Sequence, residues 1–377
     1  MKEIVNLAVD LPDAQFGEQA RARAFASIER AGYAVEMVRG GGDAFLAWLD
    51  DAFGGTWSSE AYAGSSIIAR KDGAFGGFAT YDPDGLTFSW LRGAAREPGT
   101  GIFGPFGVAA ADRKSGIGPA LLIAALASLR ALGYQRAIIP AVGEEKLVAY
   151  YAQQAGARIV ETFEKAAFRR RRFRTVVLAS GNGSNFQSVI DGADARRLPL
   201  DLVLLASNKP RAFALERARR NNIAAVALPW DRSLQTRASY DEALLDLVRR
   251  DNPELVLLLG WMHLLSEAFV REFPATINIH PAFLPLNQRL EQVGFPDGSF
   301  APAFRGADAV ADAVALKCAW VGATSHLISL DADRGPVLTR KPLAVRQNEP
   351  AEQIMERLHP LEHAVVASGI MRWVFEG

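Results

Sequence analysis

The chain holds a single cysteine, Cys318, in 377 residues. An internal disulfide is therefore excluded, and a reducing cytoplasm is the expected setting. Cys318 runs into Ala319-Trp320-Val321, the surroundings of a packed thiol rather than of a nucleophile. No group of cysteines and histidines has zinc spacing, so no metal is expected. No run of about twenty apolar residues occurs, which argues against a membrane-spanning helix. Met1-Lys2-Glu3-Ile4 has no signal-type apolar core. Neither sign of charge prevails: lysine plus arginine and aspartate plus glutamate each number 42. A global field that would draw nucleic acid or an anionic membrane is thus missing. What is present is 49% hydrophobic and 22% charged, the balance of a soluble chain long enough for two domains with cores of their own.

In the first half, residues 4–9 read as a strand and 13–31 as a helix ended by Gly32. Residues 66–70, 77–81 and 86–91 read as antiparallel strands, joined by the turn residues Lys71-Asp72-Gly73 and Asp82-Pro83-Asp84-Gly85. A strand at 106–109 leads into Arg113-Lys114-Ser115-Gly116-Ile117-Gly118, and an apolar helix follows at 119–132. A strand at 136–141, a helix at 146–155 and a strand at 158–168 complete this half. Glycines between a strand and a helix start let backbone N–H groups approach a phosphate, and the helix dipole favours the anion.

With Arg113, Gly116 and Gly118 in this order, residues 60–165 resemble the GNAT acyltransferase superfamily. The resemblance implies a loop of Arg113, Lys114, Gly116 and Gly118 around the pyrophosphate of acetyl-CoA, with the backbone at Val108 facing the thioester. The superfamily's acid is a tyrosine four residues before a late glycine. Counting back from Gly156 reaches Ala152, whereas Tyr150 and Tyr151 lie just before it.

A basic run, 169–172 with Phe173 and Arg174, reads as a solvated edge or linker between domains 1–172 and 173–377. No glycine, serine or proline spacer separates them.

The second half alternates apolar strands (175–179, 202–206, 224–228, 255–259, 276–279) with helical stretches (185–191, 213–221, 240–250). That alternation predicts a mostly parallel sheet flanked by helices, so the fold class is α/β in two domains. A strand pair at 324–330 and 337–344 precedes a C-terminal helix from 351 to about 373. After the first strand, Ser180-Gly181-Asn182-Gly183-Ser184-Asn185 offers backbone donors at a helix start. Arg237, ahead of a later helix, could clamp the same anion bidentately.

The chain then narrows to Asn278-Ile279-His280-Pro281. Two residues apart on one strand, Asn278 and His280 leave from the same face. An amide can steady an oxyanion, and an imidazole can move a proton near neutral pH. Asp333 stands before Gly335-Pro336. Each of these residues alone is as readily a turn or core residue.

Together with Ser207-Asn208-Lys209, Gly260-Trp261-Met262 and His326, they make residues 174–377 resemble the phosphoribosylglycinamide formyltransferase family along its whole length. The resemblance implies a Rossmann-like fold and formyl transfer from 10-formyl-tetrahydrofolate to a primary amine. It also implies a catalytic trio of Asn278, His280 and Asp333, with Asp333 holding His280 protonated and His326 bracing Asp333. Gly183, Ser184, Asn185 and Arg237 would bind the acceptor's phosphate, and Glu362 the rest of glycinamide ribotide. Met262, His263, Leu264 and Leu265 would border the folate. Two departures stand out. Residues 286–303 insert about a dozen residues before Phe304-Arg305-Gly306, and His263 replaces the family's usual arginine. The expected partner is a small-molecule amine, with no nucleic acid and no membrane; a homodimer is left open. Three readings remain: glycinamide ribotide as acceptor, another amine that both domains modify, or a first domain that only binds acyl-CoA or docks.

Overall fold

The computed structural model describes residues 3–53, 57–83, 93–164 and 171–376. Two compact units divide the chain, the first built from residues before 169 and the second from most of those after it. The strand expected at 86–91 lies outside the described residues.

The first unit runs β1 (Glu3–Asp10), α1 (Asp13–Phe16), α2 (Glu18–Arg30), β2 (Ala34–Arg39), α3 (Asp43–Phe53), α4 (Trp57–Ala63), β3 (Ser65–Lys71) and β4 (Ala74–Tyr81). It continues with β5 (Thr100–Val108), α5 (Ile117–Ala131), β6 (Arg136–Val142), α6 (Glu145–Ala155) and β7 (Arg158–Glu164). Its sheet has the order β2-β3-β4-β5-β6-β1-β7. Alternate residues of these strands, among them Leu7, Val9, Ile67, Ala69, Ala137 and Ile139, pack under α2 and α5, as period-two patterning requires. The helix expected at 13–31 is two, because Gly17 takes an extended backbone with ψ −177°. Strand β2 escapes sequence reading because it buries none of its residues fully, so it carries no apolar alternation.

The second unit runs β8 (Phe173–Leu178), α7 (Ser184–Asp194), β9 (Leu200–Ser207), α8 (Phe213–Arg220), β10 (Ala224–Ala227), α9 (Arg237–Arg249), β11 (Leu255–Leu258) and α10 (Glu267–Glu272). Then come β12 (Thr276–His280), β13 (Gln292–Gly294), β14 (Phe300–Pro302), α11 (Ala309–Ala315), β15 (Trp320–Leu327), β16 (Val337–Ala344) and α12 (Ala351–Glu376). The main sheet has the order β10-β9-β8-β11-β12-β15-β16. It is parallel from β10 to β12 and antiparallel beyond. Odd-numbered residues such as Val177, Leu205, Leu257 and Ile277 pack against α7, α8 and α12. Even-numbered ones, Val176, Leu178, Leu204 and Val256, pack against α9 and α10. Strands buried on both faces read as the continuous apolar runs seen in the sequence. Helices α10 and α11 are too short for a 3.6-residue period to show.

The link from β15 to β16 leaves no room at Gly335. A β-carbon there would sit 1.7 Å from the Leu327 carbonyl oxygen. We expect Gly335→Ala to force the 328–336 loop aside and to destabilise the protein by about 2 kcal/mol or more in denaturant unfolding.

Candidate functional site

The sheet order of the second unit creates the site. From β8 the chain winds outward through β9 to β10, then returns to place β11 on the other side of β8. Loops leaving β8 and β11 therefore part in opposite directions at the strands' carboxyl ends, where open parallel sheets form a crevice. A cavity of about 780 Å³ lies there, lined by Gly183, Ser184 and Asn185 after β8, by Met262 to Leu265 after β11, and by Asn278, His280 and Asp333.

At the β8 end, Gly183 takes a left-handed φ of 76° and starts α7 with no side-chain cap. The first N–H groups of α7 are thus left without the capping side chain that Thr236 and Ser266 supply to α9 and α10. A β-carbon on Gly183 would meet Ala214 at 2.8 Å, so glycine lets α8 come close. From α8, Arg217 braces the loop, donating to the Asn182 carbonyl at 2.9 Å and to its side-chain oxygen at 2.8 Å. Asn185 Nδ2 donates to Glu362 Oε2 at 3.1 Å, and burial pushes the Glu362 carboxyl up. His359, three residues before Glu362 on α12, also lines the cavity. Sequence reasoning missed it; the signal was helical spacing from Glu362.

Strand β12 supplies two of the three central groups. Asn278 and His280 stand two apart on the strand, and both line the cavity. Asn278 pairs across the ladder with His326 of β15. Its Nδ2 lies 3.2 Å from His326 Nε2 and 3.3 Å from Asp333 Oδ1, so the amide faces both the second imidazole and the carboxylate. His280 Nδ1 lies 3.7 Å from Asp333 Oδ1, and the Gly306 N–H donates to Asp333 Oδ2 at 2.9 Å. The fold thus gathers Asn278, His280, His326 and Asp333 around one carboxylate. Burial opposes the charge of Asp333, but the bond from His326, the nearby His280 and the Gly306 N–H outweigh it and hold the carboxyl well below its ordinary range.

His280 is set differently from expectation. Its Nε2 lies 2.8 Å from the carbonyl oxygen of Phe304, which can only accept, so Nε2 carries a proton. Burial lowers the imidazole's pKa, and the opposing pull of Asp333 is the smaller effect. Burial thus favours the neutral ring, with Nδ1 toward Asp333 Oδ1. Asp333, 3.7 Å from Nδ1, raises the imidazole's pKa, but by less than burial lowers it.

The formyl transferase family model matches residues 173–288. Phosphoribosylglycinamide formyltransferase of Bacillus subtilis (strain 168) is 30% identical over 188 residues, covering 50% of this chain and 87% of that protein. The protein of the same name from Escherichia coli (strain K12) is 30% identical over 203 residues, covering 54% and 87%. The chain belongs to the formyl transferase family. A solved structure, glycinamide ribonucleotide transformylase 1 from Symbiobacterium toebii, is 28% identical with a TM-score of 0.47, covering 53% of this chain and 86% of that one.

Within this formyl transferase segment, Met262 and Leu264 stand out at 55% and 71% exposure, an apolar lip on the cavity. His263 turns into a cage of Trp230, Tyr240 and Trp261, with Nε2 3.0 Å from Asn208 Nδ2. Burial and then Arg237 push its pKa down, so it does not present a fixed cation as an arginine would. Its Nδ1 and the neighbouring Trp261 Nε1 have no partner among the described residues.

Arg237 corrects an expectation. Its Nε donates to Asp241 at 2.8 Å, its Nη2 donates to the Leu264 carbonyl, and it is not among the cavity-lining residues. The reason is topological: α9, which it starts, packs on the sheet face opposite α7. Arg237 therefore supports the Met262–Leu265 wall rather than the loop at Gly183. The insertion also differs from the arrangement that would favour another acceptor. It folds as the β13–β14 hairpin, and none of residues 286–303 lines the cavity.

The first unit carries its own candidate loop. Gly116, with φ 88°, starts α5 without a side-chain cap, and Arg113, Lys114 and Gly116 are exposed. A β-carbon at Gly118 would lie 3.6 Å from both the Tyr150 hydroxyl and Val108 Cγ2. Strand β5 pairs with β6 only through Thr100 to Ile102, so its later edge toward β6 carries no ladder. Burial raises the Tyr150 phenol to about 12, whereas Tyr151 packs into the core at 7% exposure.

The charges around His280 define a measurable titration. By NMR its imidazole should titrate below 6.5, the ordinary value. Asp333→Asn should lower it further, because the carboxylate is what raises it. Titration at or above the ordinary value would reverse the balance of burial and charge described above.

Proposed function

We propose that the second unit transfers the formyl group of 10-formyl-tetrahydrofolate to the primary amine of a phosphorylated acceptor, glycinamide ribotide. The observation that carries this reading is the meeting of Asn278, His280 and Asp333 in one cavity, between an uncapped helix start and an apolar lip. The residues present fit a folate. The cavity has a volume suited to a small ligand, Met262 and Leu264 offer apolar contact, and Trp261 Nε1 and His263 Nδ1 remain to be hydrogen-bonded. When bound, the folate supplies an activated one-carbon carbonyl.

The roles of the side chains follow from their protonation. Neutral His280 uses Nδ1 to take a proton from the attacking amine, Asp333 stabilises the imidazolium that results, and the ring would return that proton to the folate nitrogen as its bond to the formyl carbon breaks. The Phe304 carbonyl keeps the ring in the required tautomer. Asn278 serves the charge developing on the carbonyl oxygen by exchanging one of its amide partners for it. The N–H groups at Ser184 and Asn185 receive the acceptor's phosphate. Glu362 and His359 lie beside that end, and Arg237 acts through the folate wall.

For the first unit we propose binding of acetyl-CoA at Arg113, Lys114, Gly116 and Gly118, with Tyr150 as the acid for the departing thiolate. Its hydroxyl lies beside Gly118, and a phenol raised to about 12 stays protonated at neutral pH. A non-catalytic acyl-CoA-binding or docking module is the second reading.

The test is formylation of glycinamide ribotide with 10-formyl-tetrahydrofolate, followed by the appearance of deformylated folate. Turnover is expected. Asn278→Ala, His280→Ala and Asp333→Ala should each lower kcat/KM by about a hundredfold or more in folded protein. Folate binding without turnover of this acceptor would overturn the assignment of the amine. Arg237→Ala should raise KM for the folate and leave KM for the acceptor unchanged.

A further inference from the structure

The insertion at 286–303 has a function that its absence from the cavity leaves open. Its base is closed by the Ala303 N–H donating to the Glu291 carbonyl at 2.8 Å. Its core end is anchored by Phe295, which packs on Phe283 and stacks on Trp320. From this base come the acceptors for two arginines. Arg305 Nη2 donates to the Leu290 carbonyl at 2.9 Å and to that of Gln288 at 3.4 Å, and its Nη1 donates to Glu291 Oε2 at 3.1 Å. Arg334 donates to the Gln288 carbonyl at 2.9 Å and to Glu291 Oε1 at 2.5 Å.

Both arginines adjoin Asp333. Arg334 follows it in the chain, and Arg305 Nε donates to the Asp333 carbonyl at 3.3 Å. Arg305 also lies between two residues that hold the site. The Phe304 carbonyl faces His280 Nε2, and the Gly306 N–H faces Asp333 Oδ2. Asp333 needs such support, because its φ of 53° is left-handed. For a residue with a β-carbon that conformation is sparsely populated and persists where its surroundings hold it. The Arg305 side chain itself is only 12% exposed.

We propose that the insertion is a buttress for the catalytic carboxylate. Arg305 is the positioning residue, and Glu291 is the anchor that ties Arg305 and Arg334 to the hairpin base. The hairpin touches no substrate. It fixes where the Asp333 carboxylate stands relative to His280 and Asn278, and so acts on the chemical step rather than on binding. A lysine cannot replace Arg305, because one ammonium cannot span the Asp333 carbonyl, the hairpin carbonyls and the Glu291 carboxylate at once.

This inference rests on the catalytic trio proposed above, and the experiment separates the two. Arg305→Lys, Glu291→Gln and Asp333→Asn are compared in the full-length enzyme by kcat, by KM for the folate and the acceptor, and by NMR titration of His280. Glu291 is 70% exposed, so Glu291→Gln leaves the fold intact. Arg305→Lys should lower kcat roughly tenfold, as a slightly misplaced group does, with both KM values unchanged. Glu291→Gln should lower kcat by a smaller factor. In both variants the His280 titration should move toward that of Asp333→Asn. A rise in acceptor KM at constant kcat would overturn the proposal and make the hairpin a substrate contact. An unchanged kcat and His280 titration in both variants would also overturn it. If Asp333→Asn alone kept full activity, the trio would fall, while the His280 titration would still decide whether the hairpin positions the carboxylate.

Discussion

A buried carboxylate that stays ionised is the constraint on which the second unit depends. Asp333 is 12% exposed at its side chain, and an unpaired charge there would be expensive. Its neighbours offset that expense: the Asn278 amide, the His326 ring and the Gly306 N–H converge on its two oxygens. Because folding lowers its pKa from 3.8, its charge favours the folded state above that value. That contribution fades as acid protonates the carboxyl in the folded protein. The same charge leaves His280 neutral yet ready to accept a proton, since it attracts the imidazolium without overcoming burial.

The sheet brings these groups together through its order of strands. The reversal at β8 and β11 opens the crevice, and the pairing of β12 with β15 sets Asn278 opposite His326. Asp333 enters from the β15–β16 loop, whose path is dictated by Gly335 against the Leu327 carbonyl. Phe304-Arg305-Gly306 contributes backbone groups to both His280 and Asp333. Rigid strands thus carry the amide and one imidazole, while a loop carries the carboxylate and therefore needs bracing.

Much of this was legible in the sequence. The apolar runs of β8, β9, β11 and β12 read as strands because they are buried on both faces, and the glycines before α7 read as a helix start. The edge strand β2 and the short helices α10 and α11 were not legible, because little of their surface is patterned by burial. At the site, Asn278 and His280 could be placed on one strand face by counting. Arg237 could not be placed, since nothing in its local sequence says which sheet face its helix covers. His359 was missed because a single histidine on a long helix has no local signal of its own.

The sequence by itself determined the alternation of strands and helices, the positions of the glycine turns and the shared face of Asn278 and His280. Each of these depends on neighbours within a few residues. Only the tertiary structure decided the protonation of His280, the side on which Arg237 stands and the place of the hairpin outside the cavity. Those depend on burial and on charges brought together from distant parts of the chain, and no local pattern encodes the dielectric or the company that a side chain will find there.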